Sequence, residues 1–375
     1  MTDAAEDQRF MAAAIRLSLR NLGRTGTNPS VGCLLVKDGT VLATGVTDVG
    51  GRPHAERIAL AAAGEGARGA TAYVSLEPCS HHGRTPPCAD ALIEAGVARI
   101  VVSVTDPDER VSGRGLAMLQ AAGIAVRTGV LEVEGRRALA AYLTRQVKKR
   151  PHVTLKLAVS PDGMIGRLGA GQVAITGPVA RGQVQVLRAQ SDAILVGIGT
   201  ARADDPELTC RLPGLADRSP IRIVLDHDLR LPPYGKLALS ARAVPVIAVA
   251  AEPPRFDDVT DKAFLARRSV LDEAGVEVLQ CDPRKLHVLL QGLASRDISS
   301  LLVEGGATVA ASFLEAGLVD RIHLYRGAVP VGEGGVRSPL VPGVAPAGFS
   351  LVRSLALGPD HFEEYERDLS CSLES

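Results

Sequence analysis

The sequence of 375 residues contains no tryptophan, and aromatic residues make up only 3% of it. Its 42 lysines and arginines are balanced by 42 aspartates and glutamates, so no net charge attracts it to nucleic acid or to an anionic membrane. Too few aromatic side chains remain to build a base-stacking surface for single strands. These shortages argue against a nucleic-acid partner and against a membrane partner.

Long apolar runs and a basic leader are missing as well. No apolar stretch approaches the ~20 residues needed to span a bilayer, and the first eight residues carry Asp3, Glu6 and Asp7 where a secretory signal would carry cations. We therefore expect a cytoplasmic protein. Six cysteines in a long chain of this kind point to metal binding or catalysis more than to disulfides.

Length and pattern predict two α/β domains. One hydrophobic core rarely serves more than about 250 to 300 residues, and the alternation of strand and helix signals restarts after the basic run Lys148-Lys149-Arg150-Pro151. We place the junction there, which gives domains 1–147 and 148–375. In the first domain a β-α-β-α-β order predicts a largely parallel sheet with helices on its faces.

The apolar periodicity and the glycine and proline positions predict the individual elements. The predicted strands of the first domain are Val31–Val36, Val41–Val46, Ala72–Leu76, Arg99–Val104 and Ile124–Val130, and its predicted helices are Phe10–Leu19, Pro53–Gly64, Pro87–Ala95, Leu116–Ala122 and Arg136–Val147. The predicted strands of the second domain are His152–Val159, Ala193–Ile198, Ile221–Leu225, Pro245–Val249, Val276–Leu279, Ser300–Val303 and Arg321–Tyr325, with a helix from the Glu304-Gly305-Gly306 turn to Ala316.

Three potential metal ligands lie in two short motifs of the first domain. His54 belongs to Pro53-His54-Ala55-Glu56, and Cys79 and Cys88 lie in the run that begins at Glu77. A catalytic zinc site takes three protein ligands and keeps a fourth position for water, so one histidine and two cysteines form a complete set. Cys79 follows a strand, whereas Cys88 and His54 each begin a helix, where the helix dipole favours a thiolate. The three ligands are therefore predicted to meet at one end of the sheet.

Glu56 is the predicted proton carrier of this site. It lies two residues after His54 on the first turn of the same helix, within reach of a water activated by zinc. A carboxylate there can take a proton from the water that attacks an amino-bearing ring carbon and return it to the departing ammonia. His-x-Glu with Pro-Cys-x-x-Cys is a signature of nucleobase deaminases, although residues 80–87 separate the two cysteines here. The motifs predict a zinc-dependent deaminase of a pyrimidine-like ring.

Two other interpretations of the motifs involve no catalysis. A closed structural zinc site would take His81 or His82 as a fourth ligand, but such a site has no use for an acid beside its histidine. Cys79 and Cys88 would otherwise be core thiols, which the surrounding proline, serine, glycine and threonine disfavour because they are loop residues.

The order of several sequence blocks resembles the family of bifunctional riboflavin-biosynthesis deaminase/reductases. The blocks are Asn28–Cys33, His54-Ala55-Glu56, Leu76–His81, Thr85–Cys88, Leu155–Ser160 with Asp162-Gly163, Leu187–Leu195, Asp204-Asp205-Pro206 and Leu302–Gly306. The wide cysteine spacing is also typical of this family. The resemblance covers nearly the whole chain and implies a cytidine-deaminase-like three-layer α/β/α domain followed by a dihydrofolate-reductase-like α/β domain.

The resemblance implies two consecutive reactions. The first domain would remove the 2-amino group of 2,5-diamino-6-(5-phosphoribosylamino)pyrimidin-4-one to give the uracil, and the second would reduce the ribosyl group to ribityl by hydride from NADPH. The implied cofactors are therefore Zn²⁺ and NADPH, and the implied partner is this phosphoribosylaminopyrimidine. The sequence leaves the oligomeric state open, a homo-oligomer included.

The resemblance also implies roles for single residues. His54, Cys79 and Cys88 would hold zinc, Glu56 would carry the proton, Asn28 would hydrogen-bond the ring, and Arg84 would hold the ribose phosphate or be a solvated surface residue. Arg188, Leu208, Arg211 and Glu304 would face the substrate of the reductase. The residues implied to line the nucleotide are Ala158, Ala174, Thr200, Asp204, Gly306, Ala307, Thr308, Val309, Ala310, Ala311 and Ser312.

Residue types in the second domain suit these roles but have ordinary alternatives. Glu304-Gly305-Gly306 opens a helix, so its backbone N–H groups can face a phosphate, although a Gly-Gly turn often only joins a strand to a helix. Arg188 and Arg211 suit a sugar phosphate or form surface ion pairs. Lys156 alternates with leucines on its strand and is either a catalytic group aimed at the reduced carbon or a solvated edge lysine.

Four positions depart from the family pattern. Thr47 replaces a common substrate-contacting histidine, Asp108 an asparagine, Gln172 a serine and Ala174 a tryptophan. Alanine at 174 removes apolar contact with the nicotinamide. The rival functions are a nucleoside or tRNA deaminase with an unrelated or inactive C-terminal domain, and a zinc-stabilised binding module without turnover.

Overall fold

The computed structural model describes residues 3–81, 86–108, 111–251 and 258–368. The chain divides into two compact units, Met1–Lys149 and Arg150–Ser375. In the described part of the chain, no helix combines the length and the apolar character that crossing a bilayer requires.

Helices and strands alternate through most of both units. The elements of the first unit are α1 (Asp3–Ser18), β1 (Gly32–Lys37), β2 (Thr40–Val46), α2 (Ala55–Ala63), β3 (Thr71–Leu76), α3 (Cys88–Glu94), β4 (Arg99–Val104), α4 (Arg114–Ala121), β5 (Ala125–Arg127), α5 (Glu132–Ala138) and α6 (Ala140–Lys148). Those of the second unit are β6 (His152–Val159), β7 (Met164–Arg167), α7 (Pro178–Ala189), β8 (Ala193–Gly197), α8 (Ile198–Asp204), β9 (Ile221–Leu225), α9 (Lys236–Leu239), β10 (Val246–Ala250), α10 (Asp258–Ala274), β11 (Glu277–Gln280), α11 (Leu286–Ser295), β12 (Ser300–Val303), α12 (Ala307–Glu315), β13 (Arg321–Arg326), β14 (Gly335–Arg337), β15 (Phe349–Leu357) and β16 (Asp360–Arg367).

The sheet of the first unit has the strand order β2-β1-β3-β4-β5 within the described residues. β3, β4 and β5 are parallel, whereas β1 pairs antiparallel with both β2 and β3. Asp38 and Gly39 join β1 to β2 with φ values of 52° and 72°, the positive angles that a tight hairpin turn requires at both central positions. The predicted hairpin is confirmed, and the parallel part of the sheet is limited to three strands.

Helices cover both faces of this sheet. One core contains Cys33 and Leu35 of β1 with residues of α2, α3 and α4. The other contains Leu34 and Val36 of β1 with residues of α1. Successive β1 side chains enter opposite cores because a strand alternates its side chains between the two faces. The three-layer α/β/α architecture predicted for the first domain is confirmed.

Gly45 brings the helix that carries Glu56 against the sheet. A Cβ atom at this position would lie 2.0 Å from the Ala55 carbonyl oxygen and 2.8 Å from the Ala59 nitrogen. Only glycine permits so close an approach of strand and helix backbones. The start of α2, with His54 and Glu56, is thereby fixed relative to β2.

Several predicted bounds in the first unit are wrong. The helix predicted to begin at Pro53 begins at Ala55, with His54 as its N-terminal cap. The strand predicted over Ile124–Val130 is only β5, and the helix predicted over Arg136–Val147 is two helices that meet at Leu139. Leu139 is buried in the core at the break, so tertiary packing takes precedence over the helical period there.

The second unit contains a larger sheet with the order β11-β10-β9-β8-β12-β6-β13-β16-β15 among the described residues. Its strands are parallel from β11 to β13, and β16 and β15 add antiparallel pairs at the other end. β6 has hydrogen-bonded neighbours on both sides. The core on one face includes residues of α11 and α12, and cores elsewhere include residues of α7, α9 and α10. The predicted α/β class is confirmed for this unit too.

Candidate active sites

The first site is the group of three predicted zinc ligands. His54 caps the N-terminus of α2, Cys79 lies three residues after β3, and Cys88 begins α3. The Nδ1 atom of His54 lies 3.6 Å from Cys79 Sγ and 3.4 Å from Cys88 Sγ. All three ligand atoms lie within 4.8 Å of one another. The folding of the chain therefore brings together residues that are far apart in sequence.

These distances fit a tetrahedral zinc ion. With Zn–S about 2.3 Å and Zn–N about 2.05 Å, a tetrahedral angle separates the nitrogen and sulfur atoms by about 3.6 Å. The observed 3.6 Å and 3.4 Å agree with that value. One imidazole and two thiol groups are also the donors that zinc prefers, and the set leaves a fourth position for water or substrate.

The surroundings of Cys79 and Cys88 change the pKa values of their thiols. A hydrogen bond from Cys88, helped by one from His54, lowers the pKa of the Cys79 thiol to about 4 although burial opposes this. The same hydrogen bond, together with burial and the charge of Glu56, raises the pKa of Cys88. A bound dication would favour the thiolate form of both cysteines.

Glu56 lies beside the ligands and is only 3% exposed. Burial and then the negative charge of Cys79 raise the pKa of its carboxyl to about 7, against the opposing influence of His54. A group that titrates near neutral pH is suited to both accept and donate a proton during a reaction.

His54, Cys79 and Glu56 line a cavity of about 460 Å³ in the first unit. Asn28 and Thr47 also line it, and the Thr47 hydroxyl accepts a hydrogen bond of 2.9 Å from the Val31 N–H. The predicted phosphate residue Arg84 and the alternative ligand His82 lie outside the described residues. His81 lines the cavity but is not part of the metal-binding group found among the described residues.

Sequence reasoning missed other residues of this cavity. Glu77, Asp106, Tyr142, Arg145 and Gln146 line it as well. Asp106 follows the carboxyl end of β4, a usual place for ligand-binding residues in an open α/β sheet, so a signal for it existed. The residues of α6 gave none, because only the tertiary fold brings that helix to the cavity.

The second site centres on Glu304, which follows β12. Arg188 of α7 donates to both of its carboxylate oxygens, at 2.8 Å and 3.1 Å, and also to the Thr209 carbonyl at 3.2 Å. The ammonium of Lys156 lies 3.8 Å from Glu304 Oε2. Arg188 is therefore in a buried ion pair rather than a surface one, and Lys156, on an inner strand with 17% of its side chain exposed, is not a solvated edge lysine.

Burial and the charges of neighbouring groups shift the pKa values of Glu304 and Lys156. Burial alone would raise the pKa of Glu304, but the positive charges of Arg188 and Lys156 outweigh it and lower that pKa. Burial lowers the pKa of Lys156, and Arg188 acts in the same direction while Glu304 opposes both. Lys156 thus gives up a proton more readily than a solvated lysine.

The residues implied to face the substrate and nucleotide have mixed environments. Leu208 is a core residue, 4% exposed, whereas Arg211 is exposed and pairs with Glu207 at 3.0 Å. Gly306 caps α12, and a Cβ there would lie 3.3 Å from Thr200 Oγ1, so these two predicted nucleotide residues are adjacent.

The run from Gly306 to Ser312 cannot face one ligand with every side chain, because a helix distributes side chains around its axis. Ala310, fully buried, faces the core, whereas Thr308 and Ser312 are exposed. Ala158 and Asp204 are half-buried, and Ala174 is exposed.

Comparison with known proteins identifies both units. Residues 4–104 match the family described as "Cytidine and deoxycytidylate deaminase zinc-binding region", and residues 151–362 match "RibD C-terminal domain". The riboflavin biosynthesis protein RibD of Escherichia coli is 42% identical over 333 residues, which covers 85% of this chain and 87% of that protein. The RibD protein of Aquifex aeolicus is 38% identical and covers 88% of each.

Solved structures agree over almost the whole length. Acinetobacter baumannii RibD, form 1, superposes with a TM-score of 0.82 at 36% identity and covers 97% of this chain and 99% of that one. The diaminohydroxyphosphoribosylaminopyrimidine deaminase/5-amino-6-(5-phosphoribosylamino)uracil reductase of Thermotoga maritima gives a TM-score of 0.83 at 33% identity, with the same coverage.

Proposed function

The chain belongs to the family of bifunctional riboflavin-biosynthesis deaminase/reductases, and on that basis we propose how its own residues carry out the two reactions. The first unit deaminates 2,5-diamino-6-(5-phosphoribosylamino)pyrimidin-4-one at C2. The second unit reduces the ribosyl group of the product to ribityl.

His54, Cys79 and Cys88 hold the zinc ion of the deaminase. The metal would supply Lewis acidity, which would bring the pKa of a bound water close to 7. Asn28, in the loop before β1 and on the cavity wall, orients the pyrimidine ring by hydrogen bonds, and Arg84 binds the ribose phosphate.

Glu56 moves the proton. Its carboxylate accepts a proton from the attacking water as the new C–O bond forms at C2, and it then delivers that proton to the departing amino group as the C–N bond breaks. Glu56 lines the same cavity as His54 and Cys79, the position that a proton carrier of this reaction requires. Ammonia and the uracil leave the cavity.

Lys156 and Glu304 serve the reduction. NADPH would supply the hydride for ribosyl C1′, and O4′ then needs a proton as the C1′–O4′ bond breaks. Lys156 donates that proton, and its lowered pKa assists the transfer. Glu304, held by Arg188, keeps the ammonium in place and faces the substrate with Arg211 and the backbone near Leu208.

The N-terminus of α12 would hold the nucleotide. Gly306 and its neighbour Thr200 give its phosphates close access to backbone N–H groups, where the helix dipole favours negative charge. The exposed side of the run from Ala307 to Ser312, with Ala158, Ala174 and Asp204, forms the rest of the site.

The small-molecule substrate is the only partner that this proposal requires. The balanced charge of 42 cationic and 42 anionic residues favours neither nucleic acid nor a membrane surface. Free thiols at Cys33, Cys210 and Cys281 are compatible with a reducing, cytoplasmic location.

The observation that carries the proposal is the group of one imidazole and two sulfurs, with His54 and Cys79 of that group lining one cavity together with the buried Glu56. The test is Glu56→Gln, with Glu65→Gln, an exposed glutamate nearby, as its matched control. We expect Glu56→Gln to keep its zinc and its reductase activity while ammonia release falls by about 10²- to 10⁴-fold. Unchanged ammonia release, or faster release from cytidine than from the phosphoribosylaminopyrimidine, would contradict the assignment.

A further inference from the structure

Tyr142 and Asp106 form a hydrogen-bonded pair in the wall of the deaminase cavity. The Tyr142 hydroxyl lies 3.0 Å from both carboxylate oxygens of Asp106. Both residues line the cavity that contains His54 and Glu56. Asp106 comes from the loop after β4 and Tyr142 from α6, so the pair joins two elements at one point of the wall.

Hydrogen bonds hold both the carboxylate and the backbone of Asp106 in place. Its Oδ1 atom also accepts the N–H of Asp108 at 2.9 Å, and its own N–H donates to Glu77 Oε2 at 3.3 Å. A carboxylate offers about four acceptor positions. The hydrogen bonds recorded among the described residues leave Oδ2 with the phenol as its donor, so a ligand in the cavity can still bond to this oxygen.

The ionised form of Asp106 depends on these donors. Burial raises the pKa of the carboxyl, and the negative charges of Asp108 and Glu77 act in the same direction. The Asp108 N–H and the Tyr142 hydroxyl oppose this rise. Asp106 is only 5% exposed, so removal of one donor affects an anion that water reaches poorly.

We propose that Tyr142 is a positioning residue for deamination, whose hydroxyl holds the Asp106 carboxylate ready to accept a hydrogen bond from an N–H or O–H group of the substrate. The inference rests on the proposed deaminase function. It assigns to α6 a part in substrate binding that the metal ligands and Glu56 do not supply.

A second tyrosine–aspartate pair in the same unit provides the contrast. The Tyr73 hydroxyl donates to Asp7 Oδ1 at 2.9 Å, and Asp7 is also bonded by the guanidinium groups of Arg99 and Arg127. Neither Tyr73 nor Asp7 lines the cavity. Removing the Tyr73 hydroxyl therefore shows the effect of losing a buried tyrosine–aspartate hydrogen bond away from the cavity. Removing the Tyr142 hydroxyl shows the effect of losing such a bond in the cavity wall.

The test compares Tyr142→Phe with Tyr73→Phe in the full-length, zinc-loaded protein. Ammonia release from the phosphoribosylaminopyrimidine is measured over substrate concentration and pH. For Tyr142→Phe we expect KM to rise about tenfold, as for loss of a hydrogen bond to a charged group, with kcat changed less than threefold. The pH below which KM increases should move upward, because the lost donor stabilised the anion. Tyr73→Phe should leave KM and its pH dependence unchanged.

The Asp106→Asn variant provides a second, independent test of whether Tyr142 acts through Asp106. In that background the added Tyr142→Phe change should alter KM by less than twofold, because the hydroxyl acts through the carboxylate. Equal KM values for Tyr142→Phe and Tyr73→Phe, or a full tenfold effect in the Asp106→Asn background, would overturn the inference. Absence of ammonia release from the unmodified protein would instead refute the proposed function.

Discussion

The contribution of the buried ion pair between Arg188 and Glu304 to stability can be tested by Arg188→Lys. The substitution keeps the positive charge but loses the pair of N–H groups that reach both carboxylate oxygens, at 2.8 Å and 3.1 Å. Each hydrogen bond to a charged group is worth about 1.5 to 3 kcal/mol, and lysine replaces roughly one of the two. The free energy of unfolding of the second unit should therefore fall by about 2 kcal/mol, which lowers its melting temperature by about 4 to 8 °C.

The matched control is Arg284→Lys. Arg284 makes the same two-pronged contact with Asp282, at 2.9 Å for both hydrogen bonds, but 76% of its side chain is exposed. Exposed pairs contribute about 0.5 kcal/mol or less, so this variant should melt within about 2 °C of the parent.

Calorimetry of both variants provides the measurement, with the reductase activity that survives heating used to assign the transition to the second unit. Equal melting temperatures for Arg188→Lys and Arg284→Lys would refute the argument from burial. If the kcat/KM of the reductase falls in Arg188→Lys but not in Arg284→Lys, the two hydrogen bonds from Arg188 also align Glu304 with Lys156.

Three further outcomes are expected. Removal of zinc by a chelator should abolish ammonia release, leave NADPH oxidation with the deaminated substrate intact, and be reversed by added zinc; a parallel loss of both activities would contradict separate sites. Gly45→Ala should cost about 1 to 3 kcal/mol and lower zinc content, because its Cβ would meet the Ala55 carbonyl at 2.0 Å, whereas Gly66→Ala meets no atom closer than 3.7 Å and should retain zinc by metal analysis. Asp7→Asn should destabilise the first unit more at pH 7 than at pH 2 in denaturation curves. Burial raises the pKa of Asp7, but its contacts with Arg99, Tyr73 and Arg127 outweigh burial and lower that pKa, and the resulting stability is present above the unfolded pKa of about 3.9 and declines as pH falls through the folded value. An equal deficit at both pH values would exclude this linkage.

Buried strands could be predicted well from the sequence. Arg99–Val104, Ile221–Leu225 and Ser300–Val303 begin and end at the predicted residues, because each is a short apolar run between polar segments. The hairpin of β15 and β16 was not predicted. Much of β15 is exposed at the edge of the sheet, so its residues show no clear apolar alternation, and pairing with β16 rather than local pattern makes it a strand.

The residues of the candidate sites also differ in how well the sequence predicts them. His54, Glu56, Cys79 and Cys88 lie in local motifs whose chemistry can be recognised from residue type and spacing, and the fold brings them together. Tyr142 has no such motif, because its relevance depends on the tertiary position of α6. Leu208 is buried, and its place beside the substrate stays a prediction.

Lys156 projects from β6, an inner strand whose backbone is hydrogen-bonded to β12 on one side and β13 on the other. Insertions and deletions accumulate in loops and seldom within such a strand, so the ammonium keeps its place while the surrounding connections vary. Attempts to redirect the reduction toward another sugar should therefore exchange the loops around Lys156, the proposed proton donor, instead of moving this residue.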